Sequence, residues 1–95
     1  MFEWDPRKAT ANAEKHDVTF DVAATVFADA HGLDGPDLAH STAEARFLRL
    51  GRAIDGRVLI VAYTVRKGND DAEKIRLISA RRASRRERAA YAEQD

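Results

Sequence analysis

Two β-prone runs meeting at an Asp-Gly pair constrain this chain more than any other feature. "ARFLRLGRAI" (45–54) and "RVLIVAYTV" (57–65) flank Asp55-Gly56, the strongest short-range signal for a β-hairpin, here expected as a two-residue turn. The second run is apolar on both faces, which requires a central place in a sheet. A third run, "EKIRLISARR" (73–82), follows the polar turn Gly68-Asn69-Asp70-Asp71 and supplies the next strand. Alternation along it predicts Arg76, Ile78 and Ala80 on one face, with Ile75, Leu77, Ser79 and Arg81 on the other.

A sheet of this kind exposes an apolar face that needs a cover, and the N-terminal segment provides one. After the β-prone Phe2-Glu3-Trp4, Asp5 and Pro6 form the N-cap and first position of a helix over residues 6–16. Asp17-Val18-Thr19 interrupts it, and Thr19 can cap a second helix. There Phe20, Ala23, Ala24 and Phe27 fall at helical spacing. Two helices so closely joined form a hairpin. Residues 28–43 read as loop with one short strand near His31–Leu33. Trp4 and Phe20 are expected to be mostly buried between hairpin and sheet. The expected fold is α+β: a helix hairpin on an antiparallel sheet of three to four strands, closed by a basic C-terminal helix. The 95 residues form a single domain (1–95) without repeats or linkers.

Zero formal net charge conceals a division. Residues 1–45 carry three Lys/Arg against nine Asp/Glu, and residues 46–95 carry thirteen against seven. Five arginines, Arg81, Arg82, Arg85, Arg86 and Arg88, crowd the start of the last helix, where Ser84 and Glu87 form a capping box. Cations at a helix N-terminus are unfavourable by about 0.3–1 kcal/mol each, so their placement suggests service to an anionic ligand. There is no cysteine, which removes disulfides, thiolate metal sites and cysteine nucleophiles. No apolar run reaches the roughly 20 residues of a membrane span, and Met-Phe-Glu-Trp-Asp-Pro does not read as a signal peptide. A cytoplasmic protein is expected.

Residues able to do chemistry are scattered along the chain. Lys8, Lys15 and His16 lie on the first helix, with Lys8 and Lys15 seven apart on one side. His40 precedes the first strand of the hairpin, on which Glu44 and Arg46 are expected to share a face. The histidines, at spacings of 24 and 9 about His40, match no metal pattern. Each side chain alone has an ordinary structural explanation, as a helix-end charge, a loop residue or a surface pair.

The joint motifs narrow the reading. "FEWDPRKATANAEKHDVTFDVAATVF", "HSTAEARFLRLG" and "IRLISARRASRRERAAY" resemble the BrnT toxins, the ribonuclease partners of bacterial type II toxin–antitoxin pairs, over nearly the whole chain. Asp17 departs from the family's usual glycine after the Lys-His pair. The resemblance implies a RelE-like fold and RNA cleavage without metal or other cofactor, through attack of the 2′-hydroxyl. Such cleavage needs a base for that proton, cations for the phosphorane, and an acid for the leaving 5′-oxygen. Arg46, Arg76, Arg81 and Arg82 suit the cationic role, helped by Arg85 and the helix N-terminus. Glu44 or His40 suits the base. His16, Lys8 and Lys15 can supply acid or phosphate contacts. The implied partner is a BrnA-like ribbon-helix-helix antitoxin in a 2:2 heterotetramer, which alone would touch DNA; no membrane is involved. A non-catalytic nucleic-acid-binding module is the alternative that the charges also fit.

Overall fold

The computed structural model describes residues 1–93. Its elements are β1 (Phe2–Glu3), α1 (Pro6–His16), α2 (Phe20–Ala24) continued by a short 3-10 helix (Thr25–Ala28), β2 (Leu33–Pro36), β3 (Phe47–Arg52), β4 (Val58–Lys67), β5 (Glu73–Arg82) and α3 (Arg85–Glu93). The five strands form one mixed sheet in the order β1-β5-β4-β3-β2. The expected α+β architecture is present, and two short edge strands enlarge the sheet. β1 runs parallel to β5, whereas all other pairings are antiparallel. β4 is central, as its doubly apolar pattern requires.

Local sequence sets the helix ends. The Asp5 carboxylate accepts the Arg7 N–H at 2.9 Å, with Pro6 in the first turn of α1. α1 stops at Asp17, a left-handed residue (φ 58°) whose N–H returns to the Ala13 carbonyl. Thr19 Oγ1 then accepts the Val22 N–H at 3.2 Å and opens α2. The hairpin between β3 and β4 differs from the expected two-residue turn. Ala53 and Arg57 close a longer loop, Ala53 N–H to the Arg57 carbonyl at 2.8 Å, and only Gly56 has positive φ (92°). A two-residue type I′ turn would need Asp55 there as well; glycine instead takes the bulge position after a longer turn.

The two sheet faces are covered unequally. On one, Val18, Phe20, Ala23 and Val26 of the helical segment pack on Leu59, Val61, Leu77 and Ala80. Phe20 is fully buried, which contributes about 1.5–3 kcal/mol, and meets Trp4 edge-on at 5.8 Å. Trp4 itself is only half-buried. On the other face α3 covers one end, with Tyr91 against a small cluster of Leu50, Val58, Ile60 and Ala83. The rest of that face stays open.

A break in β5 decides what the open face displays. Ala62 pairs with Ser79, but the next β4 residue, Tyr63, pairs with Leu77, leaving Ile78 as an extra residue. Such a bulge reverses the alternation beyond it. Leu77 and Ala80 therefore both point into the helix-covered core. Arg76 and Arg81, expected on opposite faces, share the open one, opposite Thr64 and Ile60 respectively.

Candidate active site

The open sheet face is bordered by the segment from Asp37 to Arg46, which a serine stitches shut. Ser41 Oγ donates to the Asp37 carbonyl at 2.8 Å and accepts the Arg46 N–H at 3.0 Å, while the Asp37 N–H bonds the Arg46 carbonyl at 2.8 Å. The loop so closed presents His40. Nδ1 of His40 lies 3.1 Å from both carboxylate oxygens of Asp37, a buried side chain. In a neutral imidazole a carboxylate so placed favours the Nδ1–H tautomer, in which Nε2 carries the lone pair.

Beside this pair two adjoining clefts of about 270 Å³ each open onto the sheet. Lys8, His40, Glu44, Arg46, Thr64 and Arg76 line one. Asp37, His40, Arg46, Ser79 and Arg81 line the other. His40 and Arg46 belong to both. Arg46 Nε and Thr64 Oγ1 are buried without a hydrogen-bond partner among the described residues. A buried donor left unsatisfied costs about 1–3 kcal/mol, so Arg46 Nε carries an unmet demand for an acceptor. The other cations are partly engaged. Arg76 bonds Glu3 at 3.0 Å, and Arg66 meets Glu44 at 3.3 Å.

Arg81 is the most constrained. Its two terminal nitrogens donate to the Glu87 carboxylate at 2.8 and 2.9 Å. Glu87 also completes the capping box, accepting the Ser84 N–H at 2.7 Å while its own N–H bonds Ser84 Oγ. The Arg81 hydrogen bond, with help from the Ser84 N–H, holds the Glu87 carboxyl down to about 2. Glu87 in turn raises the Arg81 guanidinium above its ordinary range.

The family model for the ribonuclease toxin BrnT of type II toxin–antitoxin systems matches residues 4–87. The chain belongs to the BrnT family. A crystal structure of the Brucella abortus ribonuclease toxin BrnT, solved at 1.1 Å, shares the fold with a TM-score of 0.65 and 23% identity over 90% of this chain and 99% of that one. No curated protein matches the sequence.

For this BrnT-family toxin the open face gathers six of the residues singled out in the sequence: Lys8, His40, Glu44, Arg46, Arg76 and Arg81. Glu44 and Arg46 precede β3 instead of sharing a face of it, yet both line the same cleft. Four others lie elsewhere. Lys15 and His16 end α1 away from both clefts. Arg82, one residue beyond Arg81, turns to the opposite side and approaches Asp17 at 3.4 Å. Arg85 is exposed on α3. Sequence reasoning missed Asp37, Thr64, Arg66 and Glu87 as partners at the site. Glu87 was readable only as half of the capping box with Ser84, and Asp37 only as an acid three residues before His40. Among the described residues, no three or more His, Asp or Glu side chains cluster as a metal site, and no helix is long and apolar enough to cross a membrane.

Proposed function

We propose that RNA is cleaved on the open sheet face, with the scissile phosphate against Arg46 and with His40 as the base. The observation that carries this reading is the buried, unpartnered Nε of Arg46 beside the Asp37–His40 pair. RNA brings its own nucleophile. Nε2 of His40 takes the 2′-hydroxyl proton as that oxygen attacks phosphorus, and the emerging imidazolium is balanced by Asp37. Arg46, aided by Thr64 Oγ1 and Arg76, donates hydrogen bonds to the phosphorane oxygens, where charge grows. The bond to the 5′-oxygen then breaks, and Lys8, the lysine lining the cleft, is the candidate to protonate it. The products are a 2′,3′-cyclic phosphate and a 5′-hydroxyl, and no metal takes part. Glu44, paired with Arg66, holds that arginine at the rim.

Membership of a toxin–antitoxin family implies a cognate antitoxin as well as RNA. The resemblance supports a ribbon-helix-helix partner that covers this face in a 2:2 assembly. The test of the chemistry is cleavage of single-stranded RNA in EDTA by the purified chain. His40→Ala and Asp37→Asn should slow the reaction strongly while binding persists. Loss of cleavage in EDTA with restoration by a divalent cation would contradict the scheme. A phosphate grip without chemistry would show binding and no products.

A further inference from the structure

A second cationic cleft lies at the other side of α3, and nothing in the cleavage scheme uses it. It encloses about 400 Å³, and Arg52 from β3, Arg57 from the hairpin turn, Arg82 from β5 and Arg88 from α3 converge on it, with Val58 and Tyr91. No carboxylate is among its described lining residues. Two of the four guanidiniums are held by neutral groups. Arg52 donates to the Gly56 carbonyl at 2.8 Å, and its guanidinium lies 5.5 Å from the centroid of the Tyr91 ring. Arg88 donates to the Ala83 carbonyl at 2.7 Å. A carbonyl fixes a guanidinium without cancelling its charge, so these two are oriented and still fully cationic. Three carboxylates stand nearby. Asp55 pairs with Arg57 at 2.7 Å, and Asp17 approaches Arg82 at 3.4 Å. Asp29 accepts the Tyr91 hydroxyl and the Arg52 backbone N–H.

We propose that this cleft is a second site for the phosphodiester backbone of RNA, gripping nucleotides that flank the one being cleaved. The inference rests on reading the open sheet face as the place of cleavage. Arg81 and Arg82 are consecutive on β5, one lining each cleft, so a strand leaving the cleavage face passes around the start of α3 into the second cleft. Arg85 and Arg86, in the first turn of α3, are exposed. The arginine fork suits phosphate oxygens. An amphipathic acidic peptide would need apolar anchors, for which Val58, Tyr91 and Ala92 offer little. The arrangement also explains why the arginine cluster is so large: Arg81 serves one cleft, and Arg82 and Arg88 the other.

The test compares binding of uncleavable 2′-O-methyl RNA of two lengths, about four and about fourteen nucleotides, by the full chain at several salt concentrations. Arg82→Gln/Arg88→Gln should weaken the long RNA about tenfold or more and leave the short one unchanged. The salt slope for the long RNA should fall by about 1.4, at about 0.7 for each phosphate no longer neutralised. Arg82→Gln alone, which removes no buried bond, should give about half that slope change, and it keeps the test decisive if the double variant does not fold. Equal loss at both lengths, or none at either, overturns the proposal. So does unchanged RNA binding combined with lost binding of a polyglutamate peptide, which would assign the cleft to an acidic protein segment. Arg46→Ala serves as the separate control. It should weaken both lengths, and its failure to do so would count against the cleavage face while leaving the length comparison to judge the second cleft.

Discussion

The side chain of Asn12 bonds both backbone groups of Ala80: Nδ2 donates to its carbonyl at 2.8 Å, and Oδ1 accepts its N–H at 3.0 Å. β1 pairs with β5 only as far as Arg76, so beyond that point no strand among the described residues lies beside the edge of β5. Asn12 supplies what that strand would, and it also donates to the Val18 carbonyl at 2.9 Å. One buried amide thus ties α1, the α1–α2 connection and β5 together just after the bulge that aims Ser79 and Arg81.

Replacing Asn12 should therefore be costly. Asn12→Ala leaves the Ala80 N–H and two carbonyls buried without partners, a loss of about 2–4 kcal/mol at about 1–3 kcal/mol per group with partial relaxation. Thermal or urea unfolding measures it. A change below about 1 kcal/mol would mean that the β5 edge is satisfied otherwise.

Asp17 gives a prediction of opposite sign. It occupies the left-handed region at φ 58°, a conformation open to glycine without steric cost. Asp17→Gly should raise stability by about 0.5–1 kcal/mol, because the bond that its carbonyl accepts from Arg57 is kept. Only the exposed approach to Arg82 disappears. A lower unfolding midpoint would show that the ion pair with Arg82 matters more than the backbone.

Acid should act through Glu87 and Asp29. The hydrogen bond from Arg81 lowers Glu87 from its ordinary 4.5 to about 2. For Asp29, burial pulls upward, but the Arg52 N–H, the Tyr91 hydroxyl and the His31 N–H outweigh it and bring 3.8 down to about 2. Folded values below unfolded ones mean that the stabilisation is present above about pH 4.5 and is lost as pH falls toward 2. Glu87→Gln should flatten the stability curve across that window and lower its neutral-pH plateau, as read from urea midpoints. An unchanged acid slope would contradict the role of the Arg81–Glu87 pair.

How much of this was legible in sequence follows from how local each signal is. Asp5-Pro6, Thr19 and the Ser84/Glu87 box are contained within four residues, and the structure has each cap in place. The doubly apolar β4 told its own position. The bulge at Ile78 did not, because strict alternation assumes an unbroken period of two, and only pairing with β4 reveals the extra residue. The edge strands were too short to carry a period: β1 has two residues, and β2 contains Gly35-Pro36. At the site, residue types were readable and their grouping was not. Asp37 sits in a segment without pattern, and Lys15, His16, Arg82 and Arg85 differ from the cleft residues only in where the fold sends them.

Arg76 tests the bulged geometry of β5. Since the bulge brings it to the face that also holds Arg81, Ala substitution at either should slow cleavage, and Arg76→Ala more than Arg81→Ala, because Glu87 already holds both terminal nitrogens of Arg81. Slowing by about tenfold to a hundredfold is expected for a phosphate-contacting group of this kind. Single-turnover rates on one RNA, with unfolding midpoints alongside, decide between them. A slower rate at Arg81→Ala alone would restore the alternating arrangement that the register excludes.

The most direct measurement is the single-turnover rate of RNA cleavage by Arg46→Ala, in EDTA, at saturating protein. Arg46 offers a buried guanidinium nitrogen without an acceptor among the described residues, and the phosphorane is the acceptor proposed for it. The rate should fall by about a hundredfold to a thousandfold, the usual cost of removing one such donor, with the unfolding midpoint unchanged or raised. A variant that folds and cleaves RNA at the original rate would place the chemistry away from the open sheet face.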